Sequence, residues 1–148
     1  MTPTQVSLVQ QSFSKAAGLG EAVAEIFYAE LFAIDPNLRA LFKGDMREQG
    51  RKLLTTLAMV VNGLTSPSTI VPAAQKLAVK HLDYGVESRH YTFVGNALLR
   101  TLKKGLGAEF TPEVREAWIA AYQLLANVMR EAAYGPQAAP VQRASATG

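Results

Sequence analysis

Cysteine is absent from this 148-residue chain, which holds only two histidines and one tryptophan. Without a thiol there can be no disulfide, no thiolate metal site and no cysteine nucleophile. Long apolar runs are missing too. A stretch such as Leu57–Val61 stops far short of the roughly 20 residues that cross a bilayer, so no membrane insertion is expected. The first twenty residues lack the charged start and apolar block of a signal peptide, which makes a cytoplasmic location the default expectation. There is no GxSxG elbow, no HExxH pair and no glycine-rich phosphate loop. Two histidines without cysteine offer little to zinc unless carboxylates complete the site. Convincing period-two alternation bounded by hairpin turns is likewise missing, so no sheet is predicted.

What is present suits one helical domain. Hydrophobic residues make up 49% of the chain, and the length supports a single core. The net charge of +3 and pI near 9.3 invite a nucleic-acid reading. However, the basic groups Arg51-Lys52 and Arg100 with Lys103-Lys104 are separated by acids, and no basic face interleaved with stacking aromatics emerges, so no nucleic-acid partner is expected.

Apolar residues recur at steps of three and four almost throughout. Val114, Trp118, Ala121, Leu125, Val128 and Met129 share one face of a helix that Thr111 caps and Pro112 opens. Leu53, Leu54, Leu57, Val60, Val61 and Leu64 stripe a helix from about Met46 to Leu64. Tyr91, Val94, Leu98 and Leu102 stripe another from Glu87 to about Leu106, which Gly105 and Gly107 stop. Helices are also predicted from Gln5 to Ala17, from Gly20 to Ala33 and from Ile70 to about Asp83. A short one follows Asp35-Pro36 and reaches about Leu41. The reading is an all-α fold of about seven helices over residues 1–134, followed by a flexible tail at 135–148 that is rich in Pro, Ala, Gln, Ser and Thr.

Each histidine can be weighed singly. His81 shares a helix face with Leu77 and Ala74, four and seven residues earlier, so its imidazole points among apolar neighbours and needs a partner. On that pattern alone, a core histidine satisfied by backbone carbonyls is the commoner outcome. His90, beside Arg89 and off the Val94 face, is expected at the surface with no role. Tyr28, among Ile26, Phe27, Leu31 and Phe32, and Gln49, one turn before Leu53, are polar groups at inward-looking positions. Aromatic side chains in such a helix usually fill core, and a lone glutamine usually marks a solvent boundary.

The order of these residues is itself informative. Phe27-Tyr28, Asp35-Pro36, Leu41-Phe42, Gln49 with Leu53, His81 with Tyr84-Gly85-Val86, His90 to Leu99, and Ala117-Trp118 through Tyr122 to Val128 follow one another across roughly residues 4 to 133. The series resembles bacterial single-domain globins and the globin domain of flavohaemoglobins. The resemblance implies a globin fold around haem b. His81 takes the position of the proximal iron ligand, and Phe42 that of the phenylalanine wedged against the porphyrin. Tyr28 and Gln49 fall at the distal polar pair and Leu53 at the distal apolar wall, while Val86 and Val94 pack beside the porphyrin. The carbonyl of Leu77, one turn before His81, is the natural acceptor for the second imidazole nitrogen.

The implied function is reversible binding of dioxygen, with carbon monoxide and nitric oxide as further gases. The alternative is nitric oxide dioxygenation with electrons from a separate reductase, since flavohaemoglobins carry a flavin and nicotinamide reductase domain for that step. Oligomeric state is not readable from the chain. In flavohaemoglobins a last-helix glutamate joins the tyrosine matched by Tyr91 near the proximal histidine. In this sequence that position falls on Ala133, with Glu131 on another face, so a strong peroxidase-like proximal push is not expected.

Overall fold

Small polar residues mark where the helices begin. Thr2 and Gln5 form a reciprocal capping box at the head of α1 (Pro3–Ala17). Gly20, at φ 66°, turns the chain into α2 (Glu21–Ile34). Asp35 accepts the Asn37 N–H at 3.0 Å and opens the short helix Pro36–Leu41, which takes the tighter 3-10 form. Asp45 caps α3 (Met46–Gly63) by accepting from Arg47 at 2.9 Å. A 3-10 turn at Pro67–Thr69 leads into α4 (Ile70–Asp83), followed by α5 (Ser88–Leu106) and a last 3-10 turn at Gly107–Glu109. Thr111, accepting from Val114 at 3.2 Å, caps α6 (Pro112–Tyr134). This computed structural model describes residues 1–135, and no strand occurs among them. The expected tail, apart from Gly135, lies outside the described residues.

Helix faces pack as the apolar spacing predicts. α2 lies along α5, α1 and α4 both pack on α6, and α3 crosses α2 and α1. Glycine permits the closest of these approaches. A Cβ on Gly50 would sit 2.9 Å from Ala24 Cβ, so the α2–α3 crossing depends on its absence. A Cβ on Gly95 would meet the Tyr122 ring at 2.7 Å where α5 meets α6. Leu31, Val9, Ala97, Ala117 and Trp118 form the dry interior. Burying one such large side chain contributes about 1.5–3 kcal/mol. The indole of Trp118 is satisfied inside that interior: its Nε1–H donates to Ser12 Oγ at 2.8 Å, and Ser12 in turn donates to Leu8 O at 2.6 Å.

One part of the pattern stays unfilled. The stripe of α3 is buried only at Val60, Val61 and Leu64, whereas Leu53, Leu54 and Leu57 are half-buried. The cause lies in the helix arrangement. α3 and α4 meet only sparsely, with their close approach at Gly63 and Ile70 beside the connecting turn, and neither makes more than passing contact with α5. A cleft therefore separates the first half of α3 from the second half of α4.

Candidate functional site

One wall of this cleft is the end of α4. The sequence Tyr84-Gly85-Val86 closes that helix with a Schellman cap, for which Gly85 takes φ 90°. The Val86 N–H donates to His81 O at 3.0 Å and the Gly85 N–H to Leu82 O at 3.1 Å. His81 is thus the residue whose carbonyl the cap secures. Its side chain is held as well, with Nδ1 2.8 Å from Leu77 O. A carbonyl can only accept, so Nδ1 carries the proton and Nε2 keeps its lone pair. Nε2 has no hydrogen-bond partner among the described residues. Burial pushes the imidazole pKa down, against the opposing pull of the Leu77 carbonyl, so the neutral ring is favoured. Among the described residues no cluster of three or more His, Cys, Asp or Glu side chains is placed to hold a metal ion.

The opposite wall is built from α2, the short helix and α3. Tyr28 is buried in an aromatic group: its ring meets Phe42 edge-on at 5.3 Å between centroids and lies 6.0 Å from Phe32, which contacts Phe42 at 5.6 Å. Its hydroxyl donates to the backbone carbonyl of Gln49 at 3.3 Å, a long bond. Burial raises the phenol pKa to about 12, so the hydroxyl keeps its proton at any ordinary pH. Gln49, one turn before Leu53, is half-buried. The structure therefore joins Tyr28, Phe42 and the Gln49 backbone on one side, and Leu77, His81 and Val86 on the other. Leu53 and Val94 are half-buried apolar residues packed on the core from α3 and α5.

Several participants were missed in the sequence. His90 is buried rather than exposed: its Nδ1 accepts the Glu87 N–H at 2.9 Å and so helps cap α5. Histidine three residues after a cap position serves there as glutamate commonly does, and that role was overlooked. Where the start of α5 meets α6, four residues gather. Arg130 lies over the Tyr91 ring at 5.5 Å and donates to Ser88 O at 3.3 Å and Thr92 Oγ1 at 3.1 Å. Tyr122 donates to Tyr91 O at 2.5 Å, and Tyr134 to Val86 O at 2.7 Å. Among the described residues the buried Tyr91 hydroxyl has no partner, and burial together with Tyr134 raises its pKa to about 12 while Arg130 opposes the shift. Glu131 is exposed and Ala133 packs on the core, so the charged neighbour of Tyr91 is a cation.

The globin family profile matches residues 25–129. A flavohemoprotein of Bordetella parapertussis is 32% identical over 132 residues, which are 87% of this chain and 33% of the relative. One from Xylella fastidiosa is 30% identical over 133 residues, 88% of this chain and 33% of the relative. The chain spans about a third of the length of these curated relatives. Among solved structures, a bacterial globin from Campylobacter jejuni is similar in fold, with a TM-score of 0.78 at 23% identity, covering 89% of this chain and 96% of that one. An engineered carbene transferase from Rhodothermus marinus, described as a proposed nitric oxide dioxygenase, gives 0.82 at 25% identity, covering 93% and 96%.

Proposed function

Because the chain belongs to the globin family, we propose that it holds haem b in the cleft between α3 and α4 and reversibly binds dioxygen there, tightly and with slow release. The observation that carries this reading is the state of His81. A neutral imidazole is fixed at Nδ1, and among the described residues its Nε2 has no hydrogen-bond partner. The residues present fit a flat apolar group. Leu53, Leu77 and Val94, on helices that scarcely touch one another, and Val86, in the connection between α4 and α5, remain half-buried, and they are the surface such a group would cover.

Haem, when bound, would supply an iron that accepts a diatomic gas. His81 would hold it through Nε2, with Leu77 O fixing the ring and raising its basicity. Phe42 would bear on the porphyrin face, held in place by Tyr28 and Phe32. Tyr28 would turn its hydroxyl from the long bond to Gln49 O toward the gas, and Gln49 would offer its amide N–H groups. A donor aimed at a ligand that gathers negative charge contributes about 1.5–3 kcal/mol. Dioxygen gathers more of that charge than carbon monoxide, so the preference for dioxygen follows from the donors.

A second reading is favoured by the relatives. The similarity to flavohemoproteins, and to a protein described as a proposed nitric oxide dioxygenase, supports a reaction in which dioxygen combines with nitric oxide to give nitrate, the one electron that restores ferrous iron coming from a separate reductase. The cation over Tyr91, where a carboxylate would strengthen the proximal ligand, favours the binding role. Absorbance spectra of the purified, reduced protein with and without oxygen test the first reading: a five-coordinate ferrous spectrum that converts reversibly supports it, and failure to retain haem refutes it. Steady-state consumption of nitric oxide with an added flavin reductase, continuing over many turnovers, would favour the second.

A further inference from the structure

His90 is only 6% exposed, yet the proposed gas chemistry gives it no task. It is the third residue of α5, and its Nδ1 accepts the Glu87 N–H at 2.9 Å. That N–H belongs to the peptide joining Val86 to Glu87, so the ring fastens the head of α5 to a residue on the wall of the cleft. Glutamate or glutamine commonly occupies this position of a capping box. Histidine differs in one respect. The lone pair that accepts the bond is also the place where the neutral ring, already protonated at Nε2, takes up its second proton. With that proton in place two donors face each other, and the bond is lost.

Proton uptake and closure therefore compete. Burial holds the imidazole pKa below its ordinary value; the Glu87 and Asp35 carboxylates oppose this, and Arg89 reinforces it. Glu87 and Arg89 stand on the ring's own segment and Asp35 at the head of the short helix after α2, while the Phe93 ring, 6.1 Å away, brings no charge. A ring that swings out to water recovers an ordinary pKa near 6.5. The open form thus binds the proton more readily than the closed one. Stability from this cap is complete above about pH 6.5 and is lost as pH falls toward the lowered folded value.

We propose that His90 is an acid-sensitive latch on the cleft: on taking up a proton at Nδ1 it releases the Glu87 N–H, frays the first turn of α5 and loosens Val86. The latch itself needs no haem. Its effect on a bound group rests on the haem-binding reading above.

Amide hydrogen exchange of the purified protein, followed by NMR between about pH 7.5 and 5.5, reads the latch. The protection factor of the Glu87 amide, already corrected for the intrinsic pH dependence of exchange, should fall by up to about tenfold per pH unit below about 6.5. His90→Gln keeps an acceptor but takes up no proton, so its protection should stay flat. His90→Ala lacks the cap at every pH and should be flat and low. In haem-loaded protein, transfer of haem to excess acceptor apoglobin should quicken over the same range several-fold more in the wild type than in His90→Gln. Flat protection in the wild type would overturn the latch, as would an equal fall in His90→Gln. Equal acid acceleration of haem transfer in the two proteins would overturn its control of the cleft. Failure to retain haem would refute the haem reading, whereas the exchange measurement decides the latch without it.

Discussion

The two walls of the cleft are held in opposite ways. On the α4 side three polar groups around His81 are engaged at short distance: Nδ1 at 2.8 Å on Leu77 O, the His81 carbonyl at 3.0 Å under the Val86 N–H, and the Val86 carbonyl at 2.7 Å under Tyr134. On the α2–α3 side the one polar bond of Tyr28 is a long 3.3 Å contact to a backbone carbonyl, inside a group of aromatic rings. The difference suits the two tasks proposed for these residues. A side chain meant to stay on a metal would be pre-oriented, whereas a donor meant for a transient guest would be kept dry, protonated and weakly committed. Leaving the bond to Gln49 O costs Tyr28 little, so most of its new bond would appear as slower gas release.

Substitutions on the two walls should separate accordingly. His81→Gly removes the fixed ligand, and haem retention should fall by more than about 100-fold, since even an outer partner of a metal ligand can reach that loss. Haem titration of the purified variant measures it, and unchanged retention would mean that iron sits elsewhere. Tyr28→Phe leaves haem in place but should speed oxygen dissociation by roughly 10- to 100-fold, with carbon monoxide dissociation changed far less. Stopped-flow displacement distinguishes the two gases, and equal effects on both would indicate a packing role for the ring. Ser12→Ala, remote from either wall, strands the Trp118 N–H and should lower stability by about 1–3 kcal/mol in denaturant unfolding. Oxygen dissociation should not move, and if it did, the cleft would not be mechanically separate from the α1–α6 core.

The smallest expected effect concerns acid. Glu30, tied to Lys104 and 3.7 Å from Arg100 across α2 and α5, has its carboxyl pKa held below the ordinary value, chiefly by the Lys104 hydrogen bond. A lowered folded pKa contributes stability that is complete above the unfolded value and is lost as pH falls through the folded one. Glu30→Gln should therefore flatten the acid side of the stability profile while leaving the neutral region nearly unchanged. An acid limb as steep as that of the wild type would assign acid loss to other carboxylates.

Much of the helix plan was legible because caps and spacing act locally. Thr111-Pro112, Asp35-Pro36 and the run from Ile70 to Asp83 carry their boundaries in a few residues. The Leu77–His81 bond was legible for the same reason, since residues four apart on a helix are neighbours. His90 was misplaced because charged and polar neighbours in sequence suggest exposure, while its burial depends on the way α5 packs. Nor could spacing show that Leu53 and Leu57 would be less buried than Val60 and Val61 on the same stripe. That contrast arises only where α3 parts from α4.

What the chain determines by itself, then, is the set of helices, their apolar faces and the tautomer-fixing turn around His81, all consequences of contacts within about four residues. Tertiary structure alone decides that α3 and α4 stand apart, that Tyr28 rests on the Gln49 backbone, and that Arg130 and Tyr134 grip the segment after His81. The physical reason is range. A hydrogen bond between residues 48 positions apart, as between Tyr134 and Val86, has no sequence period to announce it and forms only where the packing of whole helices brings the two ends together.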